Sequence, residues 1–254
     1  MSTVLVTGGT GALGKRIVER LRVQGHEVRV LSRREGAGTH VGDLTTGEGV
    51  RAAVDGAELI VHAASDTRRV GKPDVAQTRN LLAASGTVRH LLYVSIVGID
   101  RIPMRYYRNK LACENLITGS LVPHTILRAT QFHDLIAAGL RAAERLPIAP
   151  LPPDFRFQPV ATEDVALRIA DLIAGDPLGR APDMGGPEVL TFGEMTEVWR
   201  ARRGKPRRVV RIPLWGRVAR GLRAGYNLCP EQRDGVRTWG EFVASDAGAP
   251  YGRR

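Results

Sequence analysis

Short β-branched runs alternate with longer stretches of helical spacing through the first two-thirds of the chain, the rhythm of a parallel, doubly wound sheet. Val4-Leu5-Val6 reads as a buried strand, and residues 11–24 then set Leu13, Ile17, Val18 and Leu21 on one helical face. Gly25 stands where a helix commonly ends in a left-handed residue. Residues 27–31 predict a second strand with Val28 and Val30 on one face, and a short third strand ends near Val41. A brief helix over 48–54 precedes a fourth strand over 58–64, and a helix over 74–84 follows, with Val75, Thr78, Leu81 and Leu82 inward. Residues 90–97 give a fifth strand. Pro103 suits the first turn of the next helix, where its missing N–H costs nothing, and that helix runs to about Thr118. A sixth strand over 124–128 leads into a helix ending near Arg145.

The texture then breaks. Leu146-Pro147-Ile148-Ala149-Pro150-Leu151-Pro152-Pro153 can be neither helix nor central strand. This places a boundary between a nucleotide-binding domain over residues 1–150 and a small lobe over 151–254, packed on rather than independent. Helical spacing returns over 162–174, with Thr162 as its N-cap, followed by short elements around 189–190, 192–202, 209–212 and 239–243. The tail from Ser245 to Arg254 reads as loosely held.

Composition narrows the class. Apolar residues make up 43% of 254, enough for a sizeable core, and no apolar run reaches the roughly eighteen residues of a membrane span. The first residues lack the pattern of a secretory signal, and Cys113 and Cys229 stand far apart, so a reducing, cytoplasmic setting is expected. The net charge is +11, but lysine occurs only at Lys15, Lys72, Lys110 and Lys205, an arginine bias that fits a GC-rich genome. The densest basic run is Arg200, Arg202, Arg203, Lys205, Arg207, Arg208 and Arg211, which reads as a solvated face or a surface for an anionic substrate. No nucleic-acid motif accompanies it, so a nucleic-acid partner is not expected.

Thr7-Gly8-Gly9-Thr10-Gly11-Ala12-Leu13-Gly14 directly follows the first strand and opens the first helix. A pyrophosphate needs bare backbone N–H groups at a helix N-terminus, and side chains in the turn would hold it away. Gly8, Gly11 and Gly14 have that spacing, so a Rossmann-type dinucleotide fold is expected. About twenty residues on, an NAD-binding fold places an acid against the ribose 2′-hydroxyl. Here Ser32-Arg33-Arg34 occupies that position, which favours the 2′-phosphate of NADP over NAD, with Glu35 close by.

Tyr106 and Lys110 lie four apart on a helix, hence on one face, after the fifth strand. Moving a phenol from about 10 to about 7 takes roughly 4 kcal/mol. A unit charge about 4 Å away supplies that order of energy at an effective dielectric of about 20. Tyr106 is therefore the candidate proton donor to a carbonyl oxygen, and Lys110 the cation that tunes it.

The chain resembles the short-chain dehydrogenase/reductase superfamily, and in particular its atypical branch of NmrA-like and NAD(P)H:quinone oxidoreductase-like proteins. The resemblance rests on Thr7 to Gly14, Gly42-Asp43-Leu44, His62-Ala63-Ala64-Ser65, Tyr93-Val94-Ser95, Tyr106 to Lys110, Leu127-Arg128-Ala129-Thr130-Gln131-Phe132 and Gln158-Pro159-Val160. It implies that Asp43 and Leu44 border the adenine, that Ala63, Ala64 and Ser65 line the middle of the coenzyme, and that Lys110 also holds the nicotinamide ribose. It further implies that Ala129, Thr130 and Phe132, with Gln131, flank the nicotinamide, and that the C-terminal lobe shapes the substrate pocket. Two features depart from the family pattern. Ser95 is the nearest candidate for the catalytic serine, but Ile96 and Val97 follow it and the interval to Tyr106 is short. Asp74 stands where an asparagine often organises a proton relay.

The expected activity is hydride transfer between NADPH and a small carbonyl, enone or quinone-like molecule. A coenzyme-sensing regulator without chemistry, and an epimerase or dehydratase, remain as alternatives, and the oligomeric state is open. Gln131 and His133 read as helix-start residues, His62 as a satisfied core histidine, and Trp199, Trp215 and Trp239 as packing anchors of the lobe. Glu163 and Asp164 fall in a first helical turn, where acids suit the helix dipole, and no metal-ligand cluster is visible.

Overall fold

The computed structural model describes residues 1–36, 38–145, 149–203, 209–211 and 214–245. Residues 146–148 of the expected boundary, Lys205, Arg207 and Arg208 of the basic run, and the tail from 246 lie outside the described residues. The chain divides into two compact units, Met1–Ser95 with Met104–Arg128 and Val165–Pro182, and Ile96–Pro103 with Ala129–Asp164 and Asp183–Arg254. This division is interleaved where a single boundary at residue 150 was expected, because the chain returns to the first unit after 164 and supplies its sheet with a last edge strand.

The first unit is built on a seven-stranded parallel sheet. Its strands are β1 (Thr3–Thr7), β2 (Glu27–Ser32), β3 (Thr39–Val41), β4 (Leu59–His62), β5 (His90–Ile96), β6 (His124–Ala129) and β9 (Gly179–Arg180), in the order β3-β2-β1-β4-β5-β6-β9. The order reverses between β1 and β4, which puts a crevice at their carboxyl ends. Helix α1 (Ala12–Val23) buries Leu13, Ile17, Val18 and Leu21, as its spacing predicts. It ends as expected, with Gly25 at φ +83° and His26 N–H donating back to the Leu21 carbonyl at 3.1 Å.

Leu5, Leu31, Ile60, Leu91 and Tyr93 pack in one apolar cluster with α2 (Val50–Val54), α3 (Asp74–Ala84) and α4 (Arg105–Thr118). Helix α4 starts two residues beyond Pro103, with Met104 in extended conformation before it. Pro103 therefore precedes the helix instead of occupying its first turn. Inside the unit, Glu114 takes both Nε and Nη2 of Arg128 at 2.9 and 2.6 Å, a buried bidentate pair joining α4 to β6.

The second unit holds α5 (His133–Ala143), β7 (Ala149–Leu151), β8 (Arg156–Phe157), β10 (Leu190–Thr191), α7 (Phe192–Arg203), β11 (Val209–Arg211), α8 (Arg217–Arg223) and α9 (Trp239–Ser245), while α6 (Thr162–Ala174) begins in it and ends in the first. The proline-rich stretch includes β7, which among the described residues pairs with β11 in a two-stranded sheet, an edge setting where proline is tolerated. Trp199 and Trp239 are packing anchors, stacked 6.1 Å apart, with Trp239 also against Phe242 and His133. Trp215 is not one: it is 84% exposed, since the segment carrying it sits at the surface ahead of α8. Thr162 is the first residue of α6 and its hydroxyl donates to Asp134, so it does not cap the helix. The Asp164 carboxylate accepts the Val236 and Arg237 N–H groups at 2.8 and 3.2 Å, a structural task beyond favouring the helix dipole.

Candidate active site

The glycine loop turns between β1 and α1 with almost no clearance. Gly8 has φ +73°, and a Cβ there would lie 2.7–2.8 Å from the backbone of Ala63 and Ala64 at the end of β4. A Cβ on Gly14 would meet the Gly8 carbonyl oxygen at 2.0 Å, and Gly11 N–H donates to that same oxygen at 2.9 Å. Gly11 precedes α1 with no side-chain cap, and no acid occupies the first turn. A turn of bare backbone at an uncapped, acid-free helix start suits a diphosphate. Thr10 and Gly11 are exposed and Ala12 half-buried, whereas Gly9, Leu13 and Gly14 are buried as packing elements of the turn. The Thr7 side chain is buried too, and its hydroxyl meets His62 Nδ1 at 2.7 Å and the Ala64 N–H at 3.3 Å. Thr7 thereby ties the loop to β4.

Arg33 and Arg34 lie exposed at the carboxyl end of β2, where Ser32 Oγ accepts the Arg34 N–H at 3.1 Å. Asp43 folds its own turn by accepting the Thr45 N–H at 2.7 Å, and Leu44 is buried in the core cluster with its carbonyl held by Asn80 at 2.9 Å. Ala63 and Ala64 are half-buried and Ser65 is exposed. All of these residues belong to the first unit, together with the predicted catalytic side chains.

Tyr106 and Lys110 share one face of α4. The Lys110 ammonium donates to the Val94 carbonyl at 2.7 Å and lies 4.1 Å from the centre of the Tyr93 ring, which anchors it on β5. Lys110 is only 4% exposed; burial lowers its pKa from the usual lysine value, and Asp74, Cys113 and Glu114 push it back up. Burial likewise raises the Tyr93 phenol well above its ordinary value. Ser95 alternates onto the same face of β5 as Leu91 and Tyr93. Its hydroxyl is buried, with no hydrogen-bond partner among the described residues.

The partners of Tyr106 are the feature the sequence did not show. Its hydroxyl lies 2.9 Å from Ser65 Oγ, and Ser65 donates to Asp74 Oδ2 at 2.6 Å. Asp74 Oδ1 accepts the Asp66 N–H at 2.9 Å. The segment from 65 to 74 thus wraps the start of α4, and Asn109 Nδ2 holds it by donating to the Val70 carbonyl at 2.8 Å. Asp74 was singled out by position alone, and Ser65 only as a coenzyme contact; the eight residues between them, a loop with one short 3-10 turn at Thr67–Arg69, carry no periodic signal that would join them.

His62 behaves as expected of a core histidine. Both ring nitrogens are satisfied, by Thr7 and by Thr78 Oγ1 at 3.1 Å, and burial, reinforced by the Lys110 charge, lowers its pKa to about 3. In the second unit, Ala129 bridges Met184 and Phe132 bridges Val160, while the Thr130 hydroxyl donates to the Gln158 carbonyl. Gln131 Nε2 donates to the Asn227 carbonyl at 3.3 Å, and His133 is enclosed by Trp239 and Phe242. No group of three potential metal ligands occurs among the described residues, nor any helix long and apolar enough to cross a membrane.

A parallel sheet reversed between β1 and β4, with a bare glycine turn at that reversal, defines an NAD(P)-binding fold of the reductase and epimerase type. The chain belongs to the NAD(P)H-binding family, whose model matches residues 8–176, in keeping with the short-chain dehydrogenase/reductase resemblance. It is 31% identical over 219 residues to a (4-alkanoyl-5-oxo-2,5-dihydrofuran-3-yl)methyl phosphate reductase of Streptomyces griseus, covering 81% of this chain and 75% of that protein. Among solved structures it is similar to an NADPH-dependent quinone oxidoreductase of Escherichia coli complexed with NADPH, with TM-score 0.79, 18% identity and 96% and 100% of the two chains covered. It is also similar to a Thermus thermophilus UDP-glucose 4-epimerase complexed with NAD, with TM-score 0.74, 22% identity and 97% and 99% covered. These two likenesses concern the fold, and they span both coenzymes.

Proposed function

We propose that the protein is an NADP-dependent oxidoreductase that reduces a small carbonyl, enone or quinone-like substrate, with Tyr106 as the proton donor. The observation that carries this reading is the Tyr106 hydroxyl held in a hydrogen-bonded chain one helical turn from the buried Lys110. That pair stands on the helix after β5, in the unit that carries the glycine loop. When bound, the nicotinamide coenzyme supplies the hydride. Gly8 to Gly14 receive its diphosphate on bare N–H groups, and Arg33 and Arg34 offer guanidinium groups to a 2′-phosphate. Ala63 and Ala64 come close to Gly8 and leave no room for a side chain beneath the coenzyme. Tyr106 donates a proton to the substrate oxygen as negative charge develops there, and Lys110 stabilises the phenolate that remains. The relative from Streptomyces griseus acts, by its name, on an oxo-dihydrofuran phosphate, which supports a conjugated carbonyl as the substrate class.

The test is loss of reduced-nicotinamide absorbance across a panel of ketones, enones and quinones, with Tyr106→Phe beside the wild type. Turnover that falls about a hundredfold or more in Tyr106→Phe supports the assignment; undiminished turnover removes Tyr106 as the acid. One observation favours a second reading, a coenzyme sensor without chemistry. The Ser95 hydroxyl, nearest to the place of a substrate-binding serine, is buried and engaged by no described neighbour. Tight NADPH binding with no turnover on any member of the panel is the outcome that reading predicts.

A further inference from the structure

The directions of the hydrogen bonds around Tyr106 follow from counting protons. Asp74 is 2% exposed, and its two oxygens accept from the Asp66 N–H and from the Ser65 hydroxyl. A carboxylate has no proton to give and a serine has one. With that proton on Asp74, Ser65 faces Tyr106 with lone pairs only, and the contact at 2.9 Å requires the phenol to donate. Removing the phenol proton would set a phenolate against those lone pairs. Relief would require the serine proton to swing across, leaving a buried carboxylate oxygen without its donor, which is costly. The arrangement therefore stabilises the neutral phenol.

The loop holds this polarity in place. Gly71, at φ +66°, crosses the Tyr106 ring where a Cβ would lie 2.9 Å from Cδ2 and 3.2 Å from Asp74 Oδ2. Asp66 closes the turn by accepting the Arg69 N–H at 3.1 Å and approaches the Arg69 guanidinium at 3.9 Å. Among the described residues, the ionisable groups linked to the phenol and its partners include Asp74 from α3, Asp66 from the turn, His62 from β4 and Tyr93 from β5. Helix α4 adds Tyr107, Lys110 and Cys113. Lys110 is the cation among them that would favour a phenolate, and Asp74 is also its leading electrostatic counterweight. One carboxylate thus acts on the phenol twice, through Ser65 and by offsetting the ammonium.

We propose that Asp74, acting through the Ser65 hydroxyl, is a positioning residue that keeps the Tyr106 phenol protonated and so commits the site to proton donation, that is, to reduction over oxidation. The inference rests on the reading of Tyr106 as the acid. In each reductive turnover the phenol O–H bond breaks as the product O–H bond forms. The phenolate then regains a proton from water at the half-buried Tyr106, while the Ser65 proton stays on Asp74. Oxidation would need the phenolate from the start, which this arrangement disfavours.

The test reads the phenol directly. Tyrosine labelled with carbon-13 at Cζ is titrated in the coenzyme-free protein, with Tyr106→Phe assigning the resonance, in wild type, Asp74→Asn, Ser65→Ala and Ser65→Thr. The midpoint of Tyr106 is expected to fall by about one pH unit or more, a tenfold rise in acidity, in Asp74→Asn and in Ser65→Ala. In Ser65→Thr, which keeps the hydroxyl, it should stay near wild type. A midpoint that is unchanged or higher in Ser65→Ala overturns the inference, and that variant decides should Asp74→Asn fail to fold. With a turnover assay in hand, the pH at which oxidation reaches half its maximal rate falls in both variants. A shifted titration without turnover on any substrate upholds the Asp74–Ser65–Tyr106 coupling and removes the enzymatic reading with its bias to reduction; turnover with an unmoved titration keeps the enzymatic reading and overturns the coupling.

Discussion

Thr7 Oγ1 and His62 Nδ1 meet at 2.7 Å where β1 and β4 run in register, immediately beneath the glycine turn. The far nitrogen of the ring reaches Thr78 on α3, so one neutral imidazole links the floor of the nucleotide loop to the helix that begins with Asp74. Its neutrality is a consequence of burial. A protonated ring would carry its charge into a fully buried site, against the nearby Lys110 charge.

Two histidines make acid a specific threat to this protein. His62 and His133 each have a pKa lowered from 6.5 to about 3, by burial first and then by the charges of Lys110 and Arg237 respectively. Between pH 6.5 and 3 the unfolded chain takes up a proton at each ring and the native state does not, so stability is lost as pH falls through that window. Well below the unfolded pKa each ring contributes a slope of about 1.4 kcal/mol per pH unit. Urea unfolding across that range should show the loss. His133→Phe, which keeps a ring among Trp239 and Phe242, should reduce the slope by the share of one histidine. An unaltered slope in that variant would refute the assignment.

Gly14 offers a sharper test of the nucleotide loop. Alanine there must displace the Gly8 carbonyl, which also receives the Gly11 N–H. Backbone strain of this kind costs about 1–3 kcal/mol, so Gly14→Ala should weaken NADPH about 10- to 100-fold in a fluorescence titration. Unchanged affinity in a folded variant would mean that the diphosphate lies elsewhere.

The candidate site was legible wherever it depends on spacing along the chain. Gly8 and Gly14 stand where a Cβ would strike backbone, and helical periodicity alone sets Tyr106 and Lys110 on one face of α4. The contact of Ser65 with Tyr106 crosses an irregular loop, so nothing local announced it. The interleaving of the two units was equally hidden, because β9 is only Gly179–Arg180, too short to show alternation. Trp215 illustrates the limit of composition: a large ring is an anchor on average, and this one faces solvent.

Glu114 and Arg128 form a buried pair whose value lies in being complete. Their side chains are 7% and 5% exposed, and removing one partner strands the other in a low-dielectric interior. Arg128→Met should cost about 3–5 kcal/mol in urea unfolding. The double variant Glu114→Leu/Arg128→Met should recover most of that loss, since two apolar side chains leave no unpaired charge. If the single variant unfolds like the wild type, the pair carries no such stake.

The proposed preference for NADP is tested at Arg33. It lies exposed with Arg34 at the carboxyl end of β2, where an acid would grip a ribose 2′-hydroxyl, and the turn behind it is fixed by the Ser32 hydroxyl accepting the Arg34 N–H. A guanidinium on a 2′-phosphate forms charge-assisted hydrogen bonds worth about 1.5–3 kcal/mol, which corresponds to about a 10- to 100-fold loss of NADPH affinity in Arg33→Ala. NADH carries no such phosphate and should bind the variant as it binds the wild type. Because the group is exposed, its contribution should also shrink as salt is raised, so the gap between the two coenzymes narrows with ionic strength in the wild type but not in the variant. Equal affinity of the wild type for NADH and NADPH would remove Arg33 as a selectivity determinant and leave Glu35, two residues on, as the side chain to test.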